Sequence, residues 1–84
     1  MNTLSFAALL RRFVEYLSEK IRNGETTERR LAHITGVSQP HMHHVLCGKR
    51  SFSVAMADRV MQALQKDVLD FLEPEDIARW HDRE

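Results

Sequence analysis

Three histidines and the only cysteine of the chain lie within seven residues of one another, in the stretch GVSQPHMHHVLCGKR at residues 36–50. Imidazole and thiolate groups are common zinc ligands. A thiol beside an imidazole is also the usual pairing of a nucleophile with its base. On an exposed helix face, histidines with nearby lysine and arginine can instead bind an anionic partner. The stretch therefore has three alternative interpretations: a metal site, a nucleophilic site or a binding surface.

The spacing of these side chains favours the binding surface. His41 and His44 lie about one helical turn apart and Cys47 lies three residues after His44, but His43 points to another side of a helix. Either pair suffices only for adventitious zinc or nickel. Around Cys47 and its neighbouring histidines the sequence shows no oxyanion hole, third orienting group or pocket. We therefore expect no metal site, no cofactor and no enzymatic activity.

The size and composition of the chain indicate one small globular domain over residues 1–84. The apolar fraction is 43%, which is ordinary for a folded protein. With one cysteine the chain cannot form an internal disulfide, as is typical of proteins in a reducing compartment. The first residues include no long apolar stretch, and no run approaches the length that spans a membrane. We expect a soluble, cytoplasmic protein with no membrane partner.

The charge of the chain is zero overall but unevenly distributed. Residues 28–50 contain four basic residues and one acidic residue, a balance of +3, together with four histidines. Residues 67–84 contain seven acidic and two basic residues, a balance of −5. Such a chain can place a basic surface against an anionic partner while its acidic C-terminal segment faces away.

Apolar residues recur with the period of an α-helix along most of the chain, and no stretch alternates as a strand would. The pattern predicts an extended first helix over about residues 3–22, which ends at an Asn-Gly pair. Pro74 with its acidic neighbours starts a last helical segment. Residues able to cap the helices in between are Thr26 or Thr27, Ser38, Ser53 and Asp67. We therefore predict a compact all-α fold of five or six helices.

The second and third of these helices are predicted to form a steeply crossed pair. Such a crossing requires a small residue where the helices touch, a left-handed residue at the corner and an apolar residue after it. Ala32, Gly36 and Val37 meet these three requirements. Met42 and Val45 then face the core. The opposite face of the third helix carries short or flat side chains, none of them acidic: Gln39, Pro40, His43, His44 and Cys47.

The segment TERRLAHITGVSQPHMHHVLCGKR, residues 27–50, resembles the helix-turn-helix of the Cro/Xre-type repressors of phages and bacteria. The shared features are a threonine cap, Leu-Ala, Gly-Val-Ser-Gln, an aliphatic residue in the next helix and a closing Gly-Lys-Arg. The resemblance covers about residues 27–72. It implies a lambda-repressor-like fold with a helix-turn-helix at about residues 27–47, and sequence-specific binding of double-stranded DNA.

In that family the second helix of the motif enters the major groove with its N-terminus first. The resemblance assigns base contacts to the exposed face of this helix: Gln39, Pro40, His43 and His44. It assigns phosphate contacts to residues near the ends of the helix pair: Thr27, Arg29, Arg30, Ser38, Lys49 and Arg50. Glu28 departs from the family, because phage repressors often carry a phosphate-contacting glutamine at this position.

The resemblance also implies a transcriptional regulator, a repressor, that acts as a homodimer on a twofold DNA site. Phe71, Ile77 and Trp80 near the C-terminus have two interpretations: they close the core against the first helix, or they form the dimer surface. An alternative function with the same fold also stays open. Zero net charge and Glu28 equally fit a protein-interaction module, or an antitoxin-like protein with weak or secondary DNA binding.

Overall fold

The structure, a computed structural model, describes residues 5–82 and, within them, the side chains of residues 5–78. Five α-helices and one 3-10 turn follow one another along this part of the chain, which contains no strand. The elements are α1 (Phe6–Arg22), α2 (Glu28–Thr35), α3 (Gln39–Leu46), α4 (Val54–Ala63), the 3-10 turn (Val68–Phe71) and α5 (Pro74–Asp82). None of these helices has the length and apolarity needed to cross a membrane. The all-α prediction is confirmed for the described residues.

Serine or threonine hydroxyls cap the N-termini of the first four helices. Each hydroxyl accepts a hydrogen bond of 3.1 to 3.2 Å from the backbone N–H three residues later, and the four caps are Ser5, Thr27, Ser38 and Ser53. Such a cap satisfies one of the backbone donors that a helix leaves without a partner at its N-terminus. Because Ser5 caps α1, this helix begins at Phe6 rather than at the predicted residue 3.

The apolar faces of the first four helices pack together and form most of the core. Phe52, between α3 and α4, packs against Phe13 of α1 with ring centroids 6.1 Å apart. The fully buried large side chains are Phe13, Leu17, Leu31, Met42, Val45 and Val60. Burial of apolar surface is the dominant favourable term in folding. Since α2 and α3 contribute Leu31, Met42 and Val45, this helix pair is held to the rest of the molecule from its inner side.

The 3-10 turn closes the core beside α1. Asp67 and Asp70 form a capping box: Asp67 accepts from the N–H of Leu69 at 2.9 Å, and Asp70 accepts from the N–H of Asp67 at 2.8 Å. The ring of Phe71 meets those of Phe13 and Tyr16 edge-on, with centroid distances of 5.3 and 5.4 Å. Phe71 is buried by these contacts. It belongs to the core, which removes it from the predicted dimer surface.

Arg12 of α1 holds α5 in place. Its Nη1 donates to Oδ2 of Asp76 at 2.8 Å and to the backbone carbonyl of Phe71 at 2.7 Å. Asp76 also accepts from the N–H of Glu73 at 2.8 Å, which caps the start of α5. The hydrogen bond to Asp76 is the main reason why the pKa of Arg12 is raised above its ordinary value. The side chain of Asp76 is only 5% exposed. Its nearly buried carboxylate is stabilised both by the charge of Arg12 and by the backbone N–H of Glu73.

Two residues of the predicted dimer surface remain on α5. Ile77 is 48% exposed, so its side chain is available for contacts with another molecule. Trp80 lies in α5, but its side chain falls outside the described side chains. Dimerisation therefore stays a prediction.

Candidate nucleic-acid interface

α2 and α3 meet at a tight corner of three residues, 36–38. Gly36 ends α2 with a left-handed φ of +76°, and its N–H donates to the carbonyl of Ala32 at 3.0 Å. Ala32 and Val37 are buried, so all three corner residues take the places predicted for them. The buried hydroxyl of Thr35 adds a contact that the sequence did not reveal. It donates to the carbonyl of Leu31 at 2.7 Å and accepts from the N–H of Val37 at 3.4 Å.

α3 turns one side to the core and the other to solvent. Met42 and Val45 are buried to 0% and 1% exposure, as predicted. The five residues predicted for the opposite side are all exposed, and we call them the outer face of α3: Gln39, Pro40, His43, His44 and Cys47. The core fixes the buried side of the helix, and so the outer face is held in one orientation.

Gln39 and Pro40 occupy the first turn of α3, and His44 lies about one turn further along the same face. Within the described part of the chain, the polar side-chain atoms of Gln39 and His44 make no hydrogen bond with another residue. The amide of Gln39 offers both donors and an acceptor, and the imidazole of His44 offers at least one donor. Pro40 adds a flat apolar surface between them. This mixture of groups is of the kind that distinguishes base edges.

His43 differs from these three residues because its ring has polar neighbours within the chain. Nδ1 lies 3.1 and 3.2 Å from the two carboxylate oxygens of Glu28, and Nε2 lies 3.4 Å from Sγ of Cys47. The sulfur is also 3.9 Å from Nδ1, so it lies over the face of the ring and leaves the in-plane side of Nε2 open. The base contact predicted for His43 therefore stays a prediction. From the sequence, either His43 or His44 could pair with Cys47, and no third group was expected beside them. The structure places Cys47 beside His43, and Glu28 of α2 contacts the same ring.

All six residues predicted to contact phosphates are exposed at the ends of α2 and α3: Thr27, Arg29, Arg30, Ser38, Lys49 and Arg50. Thr27 and Ser38 use their hydroxyl oxygens as N-caps, which leaves each hydroxyl hydrogen able to donate. Among the described residues, the four cations have no carboxylate within ion-pair distance. No described carboxylate neutralises their charge, and all four side chains are exposed to solvent.

The histidines of α3 do not converge on one point in the described structure. Across the described residues, no three His, Cys, Asp or Glu side chains are arranged to hold a metal ion. His41, which its spacing could pair with His44, instead lies against the ring of Phe52 with centroids 6.4 Å apart.

Comparisons of the chain with protein-family models, with curated proteins and with solved structures found no match. What the α2–α3 surface can do follows from its own side chains. It combines an outer helix face rich in hydrogen-bonding groups with four uncompensated cations and two capping hydroxyls. Such a surface suits a polyanion that also displays hydrogen-bonding edges.

Proposed function

We propose that this chain binds double-stranded DNA sequence-specifically, with α2 and α3 acting as a helix-turn-helix in a lambda-repressor-like fold. It regulates transcription as a repressor, by occupying a promoter site as a homodimer. The observation that carries the proposal is the outer face of α3. This face is exposed, contains no acidic residue and is flanked by cations that no described carboxylate pairs.

On this proposal α3 enters the major groove with its N-terminus first. Gln39 is then the foremost residue, and its amide can pair with N6 and N7 of an adenine. Pro40 makes apolar contact, for which a thymine methyl is the natural partner. His44 donates to a guanine or to a phosphate further along the groove. His43 contributes indirectly, because its contact with Glu28 fixes α3 against α2.

Phosphate contacts hold the helix pair in register on the duplex. Arg29 and Arg30 lie in the first turn of α2, and Lys49 and Arg50 follow α3. In the sequence these two pairs of cations precede and follow the helix that reads the bases. The carboxylate of Glu28, which would repel a phosphate, lies 3.1 Å from Nδ1 of His43.

The first test is binding to a random-sequence duplex pool, followed by fluorescence anisotropy, with the bound fraction sequenced. We expect log affinity to fall linearly with log salt between about 50 and 200 mM, with a slope of about 0.9 for each phosphate neutralised. The sequenced fraction should contain a motif with two half-sites about 10–10.5 bp apart, because a twofold dimer places its two α3 helices one DNA turn apart. No binding at the lowest salt would overturn the proposal.

Two variants divide the interface into its base-reading and phosphate-binding parts. Gln39→Ala should lose about 1–3 kcal/mol of discrimination at one base position, because its bidentate pair disappears. Lys49→Ala should weaken binding to all sequences alike and reduce the salt slope by about 1. Gln62→Ala, at an exposed glutamine of α4, is the matched control and should leave both quantities unchanged.

A protein-interaction module, or an antitoxin-like protein with secondary DNA binding, is the second candidate. The observation that favours it is a mostly apolar groove between α1, α4 and the 3-10 turn, lined by one acidic residue, Asp58, and by Phe6, Leu9, Leu10, Val54, Ala57, Met61 and Val68. Phe6 and Val54 are 65% and 54% exposed there, and exposed apolar patches commonly mark interaction surfaces. If this groove carries the main function, Gln39→Ala will have no effect on the activity of the protein, whereas Phe6→Ala will.

A further inference from the structure

Glu28 of α2 and His43 of α3 meet on the solvent side of the helix pair. Nδ1 of His43 lies 3.1 and 3.2 Å from the two carboxylate oxygens of Glu28. The two nitrogens of an imidazole point in nearly opposite directions, so Nε2 points away from α2. Among the described residues, only the sulfur of Cys47 lies close to Nε2, and it sits over the face of the ring. Because the His43 side chain is 53% exposed, the in-plane side of Nε2 is open to another molecule.

The carboxylate decides which ring nitrogen of His43 carries the hydrogen. A neutral imidazole has one nitrogen with a hydrogen and one with a lone pair, and a hydrogen bond at one nitrogen fixes the role of the other. Ionised Glu28 can only accept hydrogen bonds, so the hydrogen of neutral His43 is held on Nδ1. Nε2, the nitrogen that points away from α2, is therefore a hydrogen-bond acceptor.

His43 lies four residues after Gln39, one turn further along the outer face of α3. In the proposed complex both side chains therefore face the base edges of the major groove, with Gln39 foremost. An acceptor at this place cannot bind O6 or N7 of guanine, O4 of thymine or a phosphate oxygen, because all of these are acceptors as well. It can accept a hydrogen bond from the amino group at N6 of adenine or at N4 of cytosine.

We propose that His43 is a specificity-determining residue that selects an adenine or a cytosine, and that Glu28 is its positioning residue, which fixes the tautomer. The inference rests on the proposed DNA binding and adds a second base-reading residue to Gln39. It also gives Glu28 a role on a surface that approaches phosphates. The carboxylate that would repel a phosphate is the group that keeps Nε2 of His43 free of hydrogen.

The tautomer can be measured without DNA, from long-range 1H–15N correlation spectra of 15N-labelled protein at about pH 8.5, where a histidine side chain is ordinarily neutral. We expect His43 to carry its hydrogen on Nδ1. In Glu28→Ala the hydrogen should move mainly to Nε2, which is its preferred place in a histidine without a partner. Glu19→Ala, at an exposed glutamate of α1, is the matched control and should leave the hydrogen on Nδ1. Hydrogen mainly on Nε2 in the wild-type protein would overturn the proposal.

Base selection is measured at the same pH by sequencing the bound fraction of the duplex pool. His43→Ala identifies the base position, because the preference at that position alone should disappear. The wild-type protein should favour adenine or cytosine there about three- to tenfold, which corresponds to one net hydrogen bond. Glu28→Ala should turn the preference toward guanine or thymine and leave the position read by Gln39 unchanged. His33→Ala, at an exposed histidine of α2, is the control and should select the wild-type sequence.

The outcomes separate base selection by His43 from the proposed function. If His43→Ala leaves every base position unchanged, or if the wild-type protein prefers guanine or thymine at the position of His43, the inference is wrong although DNA binding stands. An unchanged preference in Glu28→Ala would contradict the role of Glu28. A wild-type protein that binds no duplex would overturn the proposed function and the base contact with it, whereas the tautomer of His43 is judged by its spectrum alone.

Discussion

The α2–α3 pair and the C-terminal segment, which comprises the 3-10 turn and α5, are attached to the molecule by different kinds of contact. The helix pair is held by fully buried apolar side chains, among them Leu31, Met42 and Val45. The C-terminal segment is held by the edge-on ring of Phe71 and by the hydrogen-bonded ion pair between Arg12 and Asp76. Apolar contacts respond little to salt or pH, whereas contacts between charges respond to both.

This difference shows how a small domain can keep one surface fixed while another part is less firmly attached. The surface proposed to face DNA depends on the core, and the core does not need α5 to position α3. Conditions that weaken ion pairs should release α5 first and leave the outer face of α3 in place. Three substitutions test this comparison, from the largest expected effect to the smallest.

Met42→Ala should cause the largest loss, because it removes a fully buried side chain between α3 and the core. Truncation of a buried methionine costs about 2–5 kcal/mol of unfolding free energy, which is a large fraction of the stability of a domain this small. Urea unfolding followed by circular dichroism measures the loss. Met56→Ala, at a half-buried methionine of α4, is the control and should cost clearly less. Equal losses would mean that α3 is not anchored through the core.

Asp76→Ala should have an intermediate effect that is confined to the C-terminal segment. It removes the partner of Arg12 and the cap on the N–H of Glu73, and the loss of such nearly buried hydrogen bonds costs about 1–3 kcal/mol. Hydrogen exchange should show lower protection of amides in α5, with protection in α3 retained. Glu75→Ala, at an exposed acid in the same turn, should stay within about 0.5 kcal/mol of wild type. Equal loss of protection in α3 would contradict the comparison.

Glu25→Gln should have the smallest effect, because the Lys20–Glu25 pair is exposed to solvent. The hydrogen bond from Lys20 lowers the pKa of Glu25, so the ionised carboxylate favours the folded state. The contribution is complete above the ordinary glutamate pKa of about 4.3 and is lost as the pH falls through the lowered value. The small difference from wild type at neutral pH should therefore vanish in acid. Glu19→Gln, at an exposed glutamate of α1 that makes no ion pair with a described residue, is the control and should change the stability at neutral pH less than Glu25→Gln.

Most of the fold could be predicted because its signals are local in sequence. The caps at Thr27, Ser38 and Ser53 act on the N–H three residues later, and Gly36 acts within one turn. The burial of Met42 and Val45 follows from their helical spacing. These features need no knowledge of how distant parts of the chain meet, and so the α2–α3 corner could be assigned residue by residue.

The contacts that escaped prediction join residues far apart in the chain. Glu28 and His43 are 15 residues apart, and their contact depends on how α3 crosses α2. Spacing along α3 alone left both His43 and His44 as possible neighbours of Cys47, because it does not give the conformation of each side chain. The burial of Phe71 depends in the same way on rings contributed by α1.

The ion pair between Arg12 and Asp76 also has a consequence for the order of folding. It joins residues 64 positions apart, which makes it one of the most distant contacts in the described part of the chain. Closing so long a loop costs more chain entropy than forming the local corner between α2 and α3. The first four helices, which meet through contacts shorter in sequence, can therefore pack before this pair forms. We expect α5 to dock after them.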